Sequence, residues 1–391
     1  MRSNWLILLL QGALGVLAAG YGVMFTMLDD WRDQFGVSET DLGLIVAIGF
    51  FTSFAAQLGI APLADRGRAR QMMLLGCSLN AAGSLIMATG SSFPALFIGR
   101  IVIGVGAGMA IPAIRRIVIV TEPDRVGRNL GRTVAVEVGG FALGPLLSAA
   151  IVPILGIRAP FLAIALVIAA LTLVVSTPSI PETPAESRTT ERFAFDLLRD
   201  RAILGAVLIG VALYVMIGAF DSLWVLIMAD LDAPGWFGNA GIAVFGLPFI
   251  LFGTLGGTIA QRLGPIRTSA AGLACGGCFM AAYGTLGSPH AIFALAVLHM
   301  TIDAFSMTGT GIMIAETAPP ERQAAATGLL GGLQTLTGGV TATMAGAAYE
   351  VLGRAVTMTV TATTMIALIA TGAALVGRAW ILAPRPVTTV R

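Results

Sequence analysis

The chain repeats itself. Leu63-Ala64-Asp65-Arg66 returns as Ile259-Ala260-Gln261-Arg262, 196 positions later, and Pro123-Asp124-Arg125 followed by Gly131 returns as Pro320-Glu321-Arg322 followed by Gly328, 197 positions later. Half of the 391-residue length is about the same interval. Two separate landmarks that share nearly one offset imply a tandem pair of similar halves, each built from the same succession of elements.

The medium those halves fold in follows from composition. Hydrophobic residues make up 56% and charged residues only 11%, against about 25% charged in an ordinary soluble domain, and the mean hydropathy is +0.88. Such a chain belongs in a bilayer. A span across about 30 Å of hydrocarbon takes about 20 apolar residues, and twelve such runs are read at 5–28, 42–63, 71–90, 94–114, 133–154, 159–176, 203–228, 237–260, 268–287, 291–315, 325–349 and 355–377. Among membrane chains, two similar six-span halves are a transporter architecture.

Arginine sets the expected orientation. With Met1 inside and the spans alternating, 19 of the 23 basic residues fall inside; Arg32, Arg158 and Arg354 fall outside and Arg100 within a span. This is the positive-inside pattern and predicts a multi-pass protein of the inner (plasma) membrane with both termini cytoplasmic. All 23 basic residues are arginine, read as codon bias in a GC-rich genome, and the net charge of +2 points to no nucleic-acid partner. The first run is too long for the apolar stretch of a secretory signal, and removing it would spoil the match between halves.

Residues 177–201 break the apolar pattern with Pro178, Pro181, Pro184 and a set of charges. The expected organisation is a six-helix bundle over 1–176, a cytoplasmic linker over 177–201 and a second six-helix bundle with a short tail over 202–391. Phe193 to Leu198 suits a short amphipathic turn at the membrane surface. The other loops are short, and no G-x-x-x-x-G-K-[ST] phosphate loop appears, so active transport would draw on a gradient. Cys275-Gly276-Gly277-Cys278 sits inside the ninth span among small residues and reads as close helix packing. No enzyme, cofactor or metal site is expected.

Three motifs carry a family resemblance. Ala61-Pro62-Leu63-Ala64-Asp65-Arg66-Gly67-Arg68-Ala69-Arg70 stands between spans two and three; Arg100-Ile101-Val102-Ile103-Gly104-Val105-Gly106-Ala107-Gly108 in span four; and Gly140-Phe141-Ala142-Leu143-Gly144-Pro145 in span five. They resemble, in turn, the G-x-L-A-D-R-x-G-R-K loop, the R-x-x-x-G-x-G-A pattern and the G-x-x-x-G-P-x-x-G-G signature of the major facilitator superfamily, the last belonging to its drug:proton antiporter branches. The departures are Ala61 for the leading glycine, Gln261 for the acid of the second-half loop, and Ser148-Ala149 for the closing glycine pair. The resemblance implies an all-α membrane fold of twelve helices in two pseudo-symmetric bundles, with spans one, four, seven and ten lining a central cavity.

Charge placement agrees with such a cavity. Ionisable groups within or at the ends of spans fall in one, four, five, seven and ten. Asp65, with Arg66 and its counterpart Arg262, either latches the cytoplasmic side by pairing with inner arginines and an opposing helix N-terminus or is a solvated loop. Gly140, Gly144 and Pro145 form a hinge or a tight seam at the interface between halves. His299 and Asp303, four apart on one helix face, are the expected proton carriers, with a structural pair as the alternative. Glu137 is a second proton site or a salt bridge to Arg132 or Arg128. Arg100 faces a wet cavity or snorkels outward, and an Arg100–Asp221 pair across the cavity suits their similar depth. Asp29 and Asp30 either sit at the membrane interface or line the outer vestibule of the substrate cavity, and Met24, Met27, Met300 and Phe305 either line an apolar cavity or pack helices.

The reading is a monomeric secondary transporter that works by alternating access, coupling protons to export of a small amphipathic or hydrophobic compound. Two alternatives are a symporter or facilitator for a small anionic metabolite, and a lipid-handling or sensory protein without coupled flux.

Overall fold

A computed structural model describes residues 2–178, 180, 182 and 193–377, and every regular element among them is helical. Arg188 and Arg192 of the linker, Arg378, Arg385 and Arg391 of the tail, and the side chain of Asp29 lie outside the described residues.

The helices are α1 (Arg2–Thr26), α2 (Leu28–Phe35), α3 (Glu39–Gly59), α4 (Ala69–Thr89), α5 (Phe93–Thr121), α6 (Val126–Leu155), α7 (Ala159–Val175), α8 (Arg201–Asp230), α9 (Gly235–Leu263), α10 (Pro265–Thr285), α11 (Pro289–Thr317) and α12 (Gln323–Val376). Nine stretches of the described residues are long and apolar enough to cross a bilayer. The 17-residue α7 and the glycine-rich, 21-residue α10 add one span each. α12 contains two, because Gly353 adopts φ +77° and breaks the helix into limbs 323–352 and 354–376. The total is twelve. The 8-residue α2 is separate from the first span, which stops at Thr26.

Helix starts carry their expected caps. Asp200 accepts hydrogen bonds from the N–H groups of Ala202 (2.7 Å) and Ile203 (3.1 Å) at the start of α8, and Ser38 accepts from Asp41 N–H (3.2 Å) in the first turn of α3, each satisfying donors that have no partner inside the helix.

Packing divides the chain in two. In the first half α1 lies along α6 and α5 along α3 and α4; in the second α8 lies along α12 and α11 along α9 and α10. One apolar core is built mainly from Leu6 to Val175 and the other mainly from Ile203 to Val376. The halves meet along α6 with α9 and along α3 with the first limb of α12.

Lipid is as apolar as leucine, so helices in a bilayer gain little from burying apolar faces and depend on close approach instead. Glycine provides it here. A Cβ on Gly76 would stand 2.6 Å from the Gly106 carbonyl across α4 and α5, and one on Gly205 2.5 Å from the Gly372 carbonyl across α8 and α12. Gly140, Gly144 and Pro145 belong to such a seam, but it joins α6 to α1 inside the first half: a Cβ on Gly140 would fall on the Gly15 carbonyl, and Pro145 abuts Gly22. The expectation that this motif lies between the halves is corrected, because α9 meets a different face of α6.

Gly144→Val should therefore force α1 from α6 and cost about 1–3 kcal/mol, read as a lower melting temperature in detergent. Gly339→Ala, whose added methyl would meet nothing within 4 Å, should leave the melting temperature unlowered.

Candidate functional site

One end of the bundle, here the near face, carries the turn Ala61–Arg66 and the starts of α6 and α12. The turn is a 3₁₀ segment with Pro62 in its first positions, ended by Gly67 at φ +76°, and it brings Asp65 to zero exposure. There Asp65 bridges the halves. Oδ1 accepts from Ala324 N–H at 2.9 Å and Oδ2 from Ala325 N–H at 2.7 Å, both at the start of α12, while Arg116 Nε of α5 donates to Oδ1 at 3.1 Å. A carboxylate between a guanidinium and the positive end of a helix has both lone-pair sets used.

The repeat makes the same bond a second time. Gln261 Oε1 accepts from Gly127 N–H at 2.8 Å, at the start of α6; 65 maps to 261 and 127 to 324 under the offset seen in the sequence. Around both bonds the backbones touch: Gly131 approaches Gly253, and a Cβ on Gly328 would stand 2.7 Å from the Gln57 carbonyl.

The linker is tied to this face at both ends. Glu182 accepts from Ala69 N–H (3.0 Å) and Arg70 N–H (2.8 Å) at the start of α4, and Arg70 donates to the Ser176 carbonyl. Asp196 takes a bidentate pair from Arg322 (2.7 and 2.8 Å), which also donates to the Phe193 carbonyl at 3.1 Å. Those hydrogen bonds hold the Asp196 carboxyl below its usual pKa range.

Inside the near face, between the halves, lies a small cavity of about 50 Å³, partly open to solvent. Arg115 of α5, Tyr214 of α8, Met307 and Thr308 of α11, and Leu330 and Gln334 of α12 contribute to its wall. Glu137 takes both its bonds, 2.9 and 3.1 Å, from Arg115 Nη2, so the expected partners Arg132 and Arg128 are corrected: the α5 arginine reaches Glu137 across the helix seam. Asp221 is two turns beyond Tyr214 on the same face of α8. It is exposed and forms no ion pair or hydrogen bond among the described residues.

Other residues placed in the cavity by sequence lie elsewhere. His299 and Asp303, both at zero exposure, sit in the packed interior of the second half. His299 Nε2 is 3.3 Å from Asp303 Oδ2, His299 Nδ1 is 3.0 Å from the Tyr283 hydroxyl of α10, and the rings of Phe220 and Phe279 close the site. Met24 and Met27 belong to the core of the first half and Met300 to that of the second; these positions face into their own bundles. Phe305 stacks on Phe252 between α11 and α9. Arg100 neither snorkels nor meets Asp221: it is 1% exposed, with its guanidinium carbon 4.3 Å from the Tyr21 ring and 5.6 Å from that of Phe50. Asp30 is half-buried in α2, Arg66 is half-buried in the near-face turn, and Arg262 is exposed at the end of α9.

Sequence reasoning missed Arg115, Arg116, Gln57 and Gln11 as structural contributors. Gln11 bonds the Asn129 carbonyl at 2.8 Å across the α1–α6 seam. A lone amide inside an apolar run was the available signal for both glutamines.

Two six-helix bundles about a cavity, joined at one face by reciprocal hydrogen bonds, define the architecture of a membrane transporter and no enzyme. Residues 11–241 match the sequence profile of the Major Facilitator Superfamily, and the chain belongs to that family. The quinolone resistance protein NorA of Staphylococcus aureus is 28% identical over 148 residues, 36% of this chain and 37% of NorA; the match thus spans just over a third of that relative. Across nearly the whole fold, the chain is similar to the human organic anion transporter MFSD10 (17% identity, TM-score 0.76, 95% of this chain and 100% of that one). It is also similar to FucP in the outward conformation (16% identity, TM-score 0.76, 94% and 97%).

Removing Asp65 strands two helix-start N–H groups and Arg116. Asp65→Ala should destabilise the closed near face by about 3–5 kcal/mol and Asp65→Asn by less, read as a longer distance between spin labels at Arg68 and Leu263. At the linker, the Asp196–Arg322 contact stabilises above the ordinary carboxylate pKa near 4 and is lost as pH falls through the lower folded value. The difference in melting temperature between the native protein and Asp196→Asn should accordingly persist at pH 6 and shrink progressively as the pH falls below about 4.

Proposed function

We propose that the protein is a proton-coupled exporter of small amphipathic or hydrophobic compounds in the plasma membrane, working as a monomer by alternating access with the near face and both termini in the cytoplasm. The observation that carries this reading is the near face itself. Two reciprocal cross-half bonds and a set of glycine contacts close it, while Asp221 stays exposed toward the other end of the same interface. A pair of bundles bolted together at one end is what one of the two states of alternating access requires.

Several features support the finer parts. The concentration of arginine at the near face favours a cytoplasmic placement. The partial likeness to NorA, whose name records quinolone resistance, favours export. The cavity wall mixes Leu213, Leu330 and Met307 with Tyr214, Gln334 and Arg115, which suits a molecule with an apolar body and a polar group.

Glu137 reaches that wall through its ion pair with the lining residue Arg115. Protonating it would release Arg115 from its ion pair and change the charge presented to the cavity. His299 and Asp303 form a second candidate, reached when α10 shifts against α11; a proton gained there alters the charge buried in the second half and so the relative stability of the two states. Arg100 offers no support for a small-anion facilitator in this state, because its guanidinium is covered.

Purified protein in proteoliposomes tests the reading. An imposed pH gradient should drive movement of a fluorescent lipophilic dye, and Glu137→Gln or Asp303→Asn should abolish the gradient dependence while the dye still raises the melting temperature. Flux indifferent to the gradient would establish a facilitator instead, and dye binding without flux a sensor.

A further inference from the structure

We infer that Arg100 and Asp221 are the two halves of a second latch, which forms when the far face closes and holds the transporter in its opposite state. The inference rests on the alternating-access part of the reading above and on no assumption about substrate or coupling ion.

Both charges are incomplete in the present state, in complementary ways. Arg100 is buried to 1% exposure with Nε and Nη2 lacking any hydrogen-bond partner, and no carboxylate pairs with it among the described residues. Tyr21, by a side-chain hydrogen bond and its ring, and the Phe50 ring replace only part of the lost hydration. Space is reserved for the guanidinium: Gly49 is the neighbouring residue, and any Cβ there would collide with it. Asp221 is the reverse case, an exposed carboxylate with no partner among the described residues.

Depth and position agree. Arg100 is seven residues into α5 from Phe93, about 10 Å from the far face, and Asp221 is nine residues before the end of α8 at Asp230, about 14 Å from the same face. α5 packs on α3, α3 meets the first limb of α12, and that limb lies along α8, so the two residues flank one seam between the halves from opposite sides. Phe50 marks the way between them. It lies one turn from Phe54 on α3, and Phe54 touches Gly332 of the second half; Phe50 itself is 38% exposed. The α3–α12 contacts made by Gln57, Leu58 and Phe54 lie toward the near face, so rocking about them brings α8 toward α5 at the far end. Closure then displaces Phe50 and supplies Arg100 with the carboxylate it lacks.

The test follows the far face directly. In protein freed of Cys77, Cys275 and Cys278, spin labels at Ser91 and Ala229 report its width in liposomes by pulsed dipolar spectroscopy. The expected result is a short-distance, far-closed population that Arg100→Gln and Asp221→Asn each reduce about tenfold or more and that the exchange Arg100→Asp with Asp221→Arg restores. Because Arg100 is buried and its variants can fail to fold, a second measurement leaves Arg100 in place: Asp221→Glu should keep the far-closed population and Asp221→Asn should lose it. Equal far-closed populations in the native protein and Asp221→Asn would overturn the latch. So would loss in Arg100→Gln alone, which assigns the missing anion to a ligand. Absence of any short-distance population in the native protein would instead remove alternating access itself, a failure distinct from that of the latch.

Discussion

A helix that begins where two bundles meet leaves backbone N–H groups with no partner inside the helix, and in a low-dielectric setting each must find an acceptor. In this protein the starts of α6 and α12 find theirs on the opposite half, at Gln261 and Asp65. The closed face is thus held by donors that every helix has, met by acceptors placed at two related turns. Arg116 adds the counter-charge that makes burial of Asp65 tolerable, and the glycines at 127, 131, 253 and 257 let the backbones come near enough for the bonds to form.

The same economy explains the interior of each half. With no hydrophobic drive between helices in lipid, the seams depend on small residues and a few buried hydrogen bonds, such as Gln11 with Asn129 and Gln334 with the Gly210 carbonyl. Each half is therefore a closely packed body, and the hydrogen bonds between the halves are few. That is the distribution a rocking mechanism needs: rigid units, and an interface whose bonds are few enough to exchange.

Much of the fold was legible in the sequence because bilayer length and repeat offset are one-dimensional quantities. Twelve spans, the linker and the mapping of Asp65 onto Gln261 follow from counting. The site was less legible. That His299 and Asp303 share a helix face is read from spacing, but which face turns to the cavity depends on rotation of α11, and Phe220, Phe279 and Tyr283 claim that face for the bundle interior. For Met24, Met27 and Met300, of the two alternatives left open by sequence, cavity lining and helix packing, the structure shows packing. Glu137 was placed correctly in depth and wrongly in partner, since Arg115 is on another helix and its reach is a tertiary fact. Sequence spacing gives depth along a helix reliably and azimuth only when a full amphipathic stripe is present, which these uniformly apolar spans lack.

The departure at Gln261 makes the near-face closure lopsided. An amide oxygen keeps its acceptor strength whatever the acidity or ionic strength around it, whereas the carboxylate at Asp65 gains from a cation and loses by protonation. Under the alternating access proposed above, the α6–α9 side would serve as a hinge pin insensitive to acidity and salt, and the α3–α12 side as a clasp that responds to both. The two sides are distinguished by an amide, carried on a side chain one methylene longer, in place of a carboxylate.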